Sequence, residues 1–385
     1  MTTGVTAAAG FRAAGVAAGL KASGGLDVAV VVNDGPIHTA AGVVTRNRVK
    51  AAPVLWTEQV LRSAELRAVA LNAGGANACT GPAGFADTHQ TAEHVAAALG
   101  CGPGEIAVCS TGLIGERLPM EKLLGGLDAA LGALSPDGGT NAADAIRTTD
   151  SVPKTTTSVG RGVTVGGMAK GAGMLAPGLA TMLCVLTTDV VASAEQLDAA
   201  LRSAVRRTFD RIDTDGCMST NDTVLLLASG ASGVDADDCD FQQLVHMASA
   251  DLAAQLVADA EGATKDVVID VGHAKSEEDA VEVGRAVARS TLLKCALFGN
   301  DPNWGRVLAA VGTTNAVFEP DEIDVAVNGV WVCRAGAAAE DRSLVDMTPR
   351  LVVITIDLHA GEETATIRTT DLTTAYVHEN SAYST

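Results

Sequence analysis

Aromatic residues are scarce in this chain: three Trp, two Tyr and six Phe among 385 residues, 3% in all. Apolar residues nevertheless make up 47%, so the core must be assembled from Ala, Val, Leu and Ile, which suit closely packed sheets and helices. Basic residues are also in short supply. Twenty-seven Lys and Arg stand against 46 Asp and Glu, a formal net charge of −19. That balance argues against nucleic acid, which rewards clustered cations, and against an anionic membrane surface. Its plain meaning is solubility. No stretch reaches 18 consecutive apolar residues, so no membrane span is expected. Met1–Thr6 has no basic region followed by an apolar core. No signal peptide is therefore expected, and the protein is placed in the cytoplasm. The eight cysteines (79, 101, 109, 184, 217, 239, 295 and 333) show no C-x-x-C and no pairing rhythm. They read as free, mostly buried thiols rather than a disulfide scaffold or a zinc site.

What is present is an alternation of strand-like and helical stretches, in a chain long enough for two domains or one large α/β body with a smaller partner. Strands are expected at 27–32, 40–45, toward the end of 65–72, and at 106–109, 182–191 and 223–228. Further strands follow at 267–271, 323–327, 350–358 and 363–369. Helices are expected at 88–99, 120–134, 193–209 with Ser193 as N-cap, 241–258 and 276–295. Residues 135–139 read as a surface loop. The sum is a mixed α/β protein with the strand after residue 181 at its centre.

That strand is entered through a glycine-broken run with a single lysine, Ala169 to Leu183: Ala-Lys-Gly-Ala-Gly-Met-Leu-Ala-Pro-Gly-Leu-Ala-Thr-Met-Leu. Thr181 is an ordinary β-branched residue if it stays mid-chain. If the Ala180–Thr181 bond breaks, its own α-amine, of pKa about 7.7–8.0, can take the proton of its hydroxyl near neutral pH. No Ser-His-Asp constellation is identifiable, and none is needed if an α-amine is the base. Lys170-Gly171-Ala172-Gly173 fits neither G-x-G-x-x-G nor a Walker loop, so nucleotide binding is unsupported. His89 and His94 lie on a helix without H-E-x-x-H and read as surface residues.

Three other glycine-bearing stretches are too specific for ordinary turns: Asn72 to Gly81, Ser110 to Gly115, and Phe298 to Arg306. Together with Lys170 to Met174 and His378-Glu379-Asn380-Ser381, they resemble the ornithine acetyltransferases, self-cleaving glutamate N-acetyltransferases of arginine biosynthesis. The resemblance runs from Gly10-Phe11-Arg12 to Thr385, with the motifs in the family's order.

It implies a layered α/β/β/α sandwich of the self-cleaving N-terminal-threonine acyltransferase kind, with a smaller C-terminal α/β part. Self-cleavage would give chains 1–180 and 181–385, intertwined in one body and assembled as a heterotetramer of two of each. Thr181 would attack the Ala180 carbonyl and afterwards carry the acetyl group from N-acetylornithine to glutamate in a ping-pong cycle. Thr111 and Gly112 match the oxyanion hole, where each donor is typically worth about 10²–10³ in rate. Thr148, Lys170, Thr181, Glu261, Asn380 and Thr385 match substrate-binding positions, with Thr149 an alternative to Thr148. The C-terminal tail is expected to fold back rather than fray. Neither cofactor nor metal is implied. The polar cluster Asp213, Asp215, Ser219, Thr220, Asn221 and Asp222 matches a family segment without a metal role, although Cys217 and Met218 depart from its polarity. Arg306 is open between a structural and a site role. Two alternatives share the architecture: a bifunctional enzyme that also takes acetyl from acetyl-CoA, and a self-cleaving amidohydrolase or aminopeptidase with water as acceptor.

Overall fold

The structure, a computed structural model, describes residues 3–175 and 182–382. These form two compact units, one of residues 3–210 and 217–259, the other of 211–216 and 260–382.

The first unit contains β1 (Phe11–Val16), β2 (Val28–Asn33), β3 (Ala40–Val44), α1 (Ala52–Val60), β4 (Ala68–Ala73), α2 (Gly81–Leu99) and β5 (Ile106–Thr111). It continues with α3 (Met120–Gly132), α4 (Gly139–Ala145), β6 (Lys154–Gly160), β7 (Val163–Lys170), β8 (Leu183–Thr188), α5 (Ala194–Arg207), β9 (Thr223–Ala228) and α6 (Phe241–Ala258). One sheet has the order β1-β2-β4-β5, the other β3-β9-β8-β7-β6. Their facing side chains share one core: Val28–Val32, Ala68–Leu71 and Ile106–Cys109 meet Met168, Leu183, Val185, Leu225 and Leu227. Alternate residues of β8 face the other way; a Cβ on Gly167 would meet Leu186 and Leu252 of α6. Helices α5 and α6 cover that outer face, while α1, α2 and α3 pack on the first sheet. The layers run helix, sheet, sheet, helix. Strands β2, β4, β5, β8 and β9 are buried along their whole length. This is why they read as apolar runs without alternation.

The second unit contains β10 (Asp266–Ala274), α7 (Glu277–Ala288), α8 (Thr291–Phe298), α9 (Trp304–Val311), β11 (Asp324–Val327), β12 (Val330–Arg334), β13 (Ala337–Ala338), β14 (Leu351–Asp357), β15 (Glu363–Thr370) and α10 (Thr374–Ala382). Its sheet has the order β13-β12-β11-β14-β10-β15. Every second residue of β10 and β14 is buried under α7 and α9, which gives these strands a period of two.

Several expectations need correction. The helix expected at 276–295 is two, because Ser290 is extended and its hydroxyl caps a new helix by accepting from Leu293 N at 3.3 Å. The helix expected at 88–99 starts earlier, at Gly81, since Pro82 is tolerated in a first turn. The 135–139 loop gives way to α4 at Gly139, and the 182–191 strand is confined to 183–188. The glycine-rich loop around Lys170 is, up to that residue, the strand β7, paired with β6. Helices α1 and α9 had no expectation. Among the described residues no cysteine forms a disulfide, but Cys79, Cys217 and Cys295 are exposed and only Cys109, Cys184 and Cys333 are fully buried. Ser193 caps α5 as expected, in a reciprocal pair with Gln196.

The core tolerates little loss of volume. Leu127 of α3 is fully buried against the first sheet. Leu127→Ala is expected to lower stability by about 2–5 kcal/mol, read as a fall in melting temperature.

Candidate active site

The local structure around Thr111 follows from a strand that ends against a second loop. Parallel pairing of β4 with β5 sets Ala73 opposite Thr111. Beyond them the two loops bind each other, Gly75 N donating to Thr111 O at 3.0 Å and Ala76 N to Leu113 O at 2.9 Å. The Asn72 amide closes the first loop onto Gly75 O, and its oxygen accepts from Ser110 Oγ at 2.7 Å. Gly112 has a φ of +125°, and a Cβ there would lie 2.6 Å from Gly75 N. Only glycine fits. Thr111 and Gly112 are therefore presented as a fixed hydroxyl and backbone at a strand end.

Lys170 ends β7 and is 2% exposed. Its Nζ donates to Thr111 Oγ1 at 3.2 Å. A hydroxyl that accepts from an ammonium keeps its own proton for another acceptor. The lysine is not a solvated loop residue, and it meets the very hydroxyl read as an oxyanion donor.

Behind it lies a charge network that the sequence reading did not assign. The Asp150 carboxylate accepts from Gly171 N and from Lys154 Nζ, both at 2.6 Å, and from Thr148 N at 3.1 Å. Lys154 is fully buried and bonds Asp259 at 2.6 Å as well. Burial would raise the Asp150 carboxyl, yet the positive charges of Lys170 and Lys154 and the hydrogen bonds it accepts hold it down at about 2. It is an anion at every working pH. Thr148, half-buried, meets the site through this carboxylate, and Thr149 beside it also has partners.

A third feature is the dipeptide Asn221–Asp222, which the sequence reading held only as part of a polar cluster. Asn221 Nδ2 donates to Ala76 O at 2.6 Å and to Ser110 O at 2.8 Å. Asp222 Oδ1 accepts from Met182 N at 3.1 Å. Burial pushes the Asp222 carboxyl well above its usual range, only partly offset by the Met182 amide, the Ser219 and Thr45 hydroxyls and the charge of Lys170. The rest of that cluster is divided between units, with Asp213 and Asp215 in the second.

In the second unit, Glu261 and Asn380 are brought together, Asn380 Nδ2 donating to Glu261 Oε2 at 3.0 Å. Helix α10 packs on this turn, and just before it Thr373 Oγ1 donates to Gly262 O at 2.6 Å; the expected fold of the tail's end over the site falls on residues outside those described. Arg306 Nη1 donates to Leu292 O at 2.6 Å, a contact that ties α9 to α8 and supports the structural reading. His89 packs against Trp56 with the rings tilted by 43°, and His94 bonds Asp128, both half-buried. Ala180, Thr181 and Thr385 lie outside the described residues.

A two-sheet α/β body in which a buried lysine donates to a strand-end hydroxyl beside a left-handed glycine sets fixed polar groups at one edge. The ArgJ family model matches residues 12–385, and relatives are similar along the whole chain. An arginine biosynthesis bifunctional protein ArgJ of Thermobifida fusca is 65% identical, over 99% of this chain and 100% of its own. One of Streptomyces coelicolor is 64% identical, over 99% of each chain. A crystal structure of an ornithine acetyltransferase from Mycobacterium tuberculosis, complexed with ornithine, is 59% identical with a TM-score of 0.43, covering 47% of this chain and 96% of its own. The chain belongs to the ArgJ family and is an enzyme of arginine biosynthesis.

Asp150→Asn leaves two buried lysines short of a counter-charge, and a loss of about 3–5 kcal/mol at neutral pH is expected. Because the native carboxyl titrates at about 2 against an ordinary 3.8, its roughly 2 kcal/mol of stabilisation is complete above about pH 4 and lost as pH falls toward 2. Melting curves of wild type and variant are expected to draw closer by about that amount over that window. Parallel curves would contradict the assignment.

Proposed function

We propose that the chain is a glutamate N-acetyltransferase that moves acetyl from N-acetylornithine to glutamate through an acetyl-Thr181 intermediate. The observation that carries this reading is the bond from Lys170 Nζ to Thr111 Oγ1 beside Gly112, in a chain of the ArgJ family. A free oxyanion needs donors fixed before it forms, and an ammonium that occupies the lone pair of Thr111 directs its proton outward. The Thr111 hydroxyl and Gly112 N–H are the two donors.

The enzyme first cleaves itself at Ala180–Thr181: Thr181 Oγ attacks the Ala180 carbonyl, the C–N bond gives way to an ester, and water hydrolyses that ester to leave the Ala180 carboxylate and a free Thr181 α-amine. Thr181 Oγ then attacks the acetyl carbonyl and its α-amine takes the hydroxyl proton. The tetrahedral oxyanion rests on Thr111 and Gly112. It collapses with loss of the C–N bond, and the α-ammonium returns its proton to the departing ornithine amine. The amine of glutamate attacks the acetyl ester by the same route, and Thr181 leaves with a proton restored to Oγ. Lys170, Thr148, Glu261, Asn380 and Thr385 bind the amino-acid parts of the substrates, carboxylates to the cation and amines to the carboxylate. The pairing of β7 with β8, which puts Lys170 opposite Leu183, supports chains 1–180 and 181–385 staying associated after the cut. Two of each make the working heterotetramer. Among the described residues no helix is long and apolar enough to cross a membrane, and the free thiols suit a cytoplasmic enzyme.

The relatives' designation as bifunctional favours a second donor, acetyl-CoA, at the same threonine. Intact mass under denaturing conditions tests the scheme. Wild type is expected as two fragments meeting at Ala180–Thr181 and Thr181→Ala as one chain. N-acetylornithine alone is expected to leave an acetyl adduct on the 181–385 fragment, and acetyl-CoA alone to do the same if it is a donor. An uncleaved wild type that transfers acetyl would refute the mechanism; turnover without glutamate would point to a hydrolase.

A further inference from the structure

We propose that Asn221 and Asp222 form a positioning element that aligns the nucleophile-bearing strand with the oxyanion donors. Asn221 holds the end of β5 and Asp222 holds the backbone of Met182. The inference rests on the reading of Thr181 as nucleophile, since Met182 is the residue bonded to it.

The two side chains are adjacent in sequence and reach two different sheets. Asn221 Nδ2 has two N–H bonds and directs them to two carbonyls, Ala76 O in the Asn72–Gly81 loop and Ser110 O just before Thr111. Its Oδ1 accepts from Thr220 Oγ1 at 2.7 Å, and turning the amide over would cost both donations to the carbonyls. An aspartate at 221 would set a carboxylate against two carbonyl oxygens, which are acceptors only.

Asp222 is fully buried. One oxygen takes the Met182 N–H; the Ser219 and Thr45 hydroxyls lie near the carboxyl, but no well-formed hydrogen bond reaches Oδ2 among the described residues. A neutral acid suits that arrangement: one oxygen accepts from the amide, and the other carries a proton rather than an unsolvated charge. The main chain reinforces the grip. Thr223 N donates to Met182 O at 3.1 Å, and Thr45 N to Asp222 O at 2.9 Å. Both polar groups of Met182 are therefore held by residues 222 and 223, and Ser110 O by residue 221. The link from Ser110 to Met182, the chain neighbours of Thr111 and Thr181, runs through one dipeptide.

A neutral Asp222 and an ionised one differ in what Asp222→Asn does. The carboxamide keeps an acceptor for Met182 N–H and carries no charge, so splitting at Ala180–Thr181 and kcat are expected within about tenfold of wild type, the size of one neutral hydrogen bond. Asp222→Ala removes the acceptor and Asn221→Asp removes both donations. Each is expected to slow splitting and, in the split fraction, to lower kcat about 100-fold while KM for N-acetylornithine stays within about threefold, the mark of misalignment rather than lost binding. Full-length variants are followed by intact mass against time and by steady-state kinetics, with melting temperature recorded. Asp222→Ala and Asn221→Asp that split and turn over like wild type would overturn the proposal. So would Asp222→Asn that melts like wild type yet loses as much as Asp222→Ala, since that would make the charge essential. Should Asp222→Ala not accumulate as folded protein, Asn221→Asp decides. A wild type that never splits would remove the Thr181 reading and this inference together. A split, active wild type with unimpaired variants would remove this inference alone.

Discussion

The Asp150 carboxylate, shut away from water between two buried lysines, is the constraint on which the site depends. A buried ammonium without a counter-charge is costly, and Lys170 is 2% exposed. Asp150 supplies that counter-charge while holding Gly171 N, so it bears on both the charge and the backbone of the lysine that meets Thr111. Lys154 and Asp259 complete the compensation, leaving two positive and two negative charges in the network. Asp222, also near Lys170, is tuned in the opposite direction. Two buried carboxyls near one lysine are thus shifted in opposite directions, Asp150 down by its charged partners and Asp222 up by burial.

A core poor in aromatics serves this arrangement. Val, Ala and Leu from β2, β4, β5, β8 and β9 interleave between two sheets without bulky rings, and polar loops can then run close to one another at the strand ends. The Asn72–Gly81 and Ser110–Gly115 loops are joined by backbone hydrogen bonds at that edge. Their rigidity is a matter of main chain and amide side chains, not of large apolar anchors.

Much of this was legible from the sequence, for identifiable reasons. Thr111 and Gly112 follow a short apolar run, which marks a strand end, and the glycine stands where no Cβ fits. The central strands announced themselves as unbroken apolar stretches. Lys170 reads as a loop residue because glycines follow it at 171 and 173, whereas strand β7 runs up to it through Gly166, where a Cβ would strike Gly4 O at 2.1 Å. Asp150 and Lys154 carry no local pattern: one precedes a strand, the other begins it, and their partner Asp259 is more than a hundred residues on. Asn221 and Asp222 were visible as polar residues before a strand, but nothing in their spacing shows that they reach Ala76, Ser110 and Met182. The break at Ser290 was hidden by an amphipathic pattern that continues across it.

The pairing of β7 with β8 has a consequence for the lifetime of the molecule. If the connection between them is severed, two neighbouring strands of one sheet belong to different polypeptides, and unfolding releases two diffusing species rather than one. Refolding then becomes second order, and the recovered fraction falls on dilution. The thermodynamic stability of the precursor no longer describes the mature protein, whose endurance is a rate of escape over an unfolding barrier. Such a protein folds once, as a single chain, and is afterwards maintained kinetically.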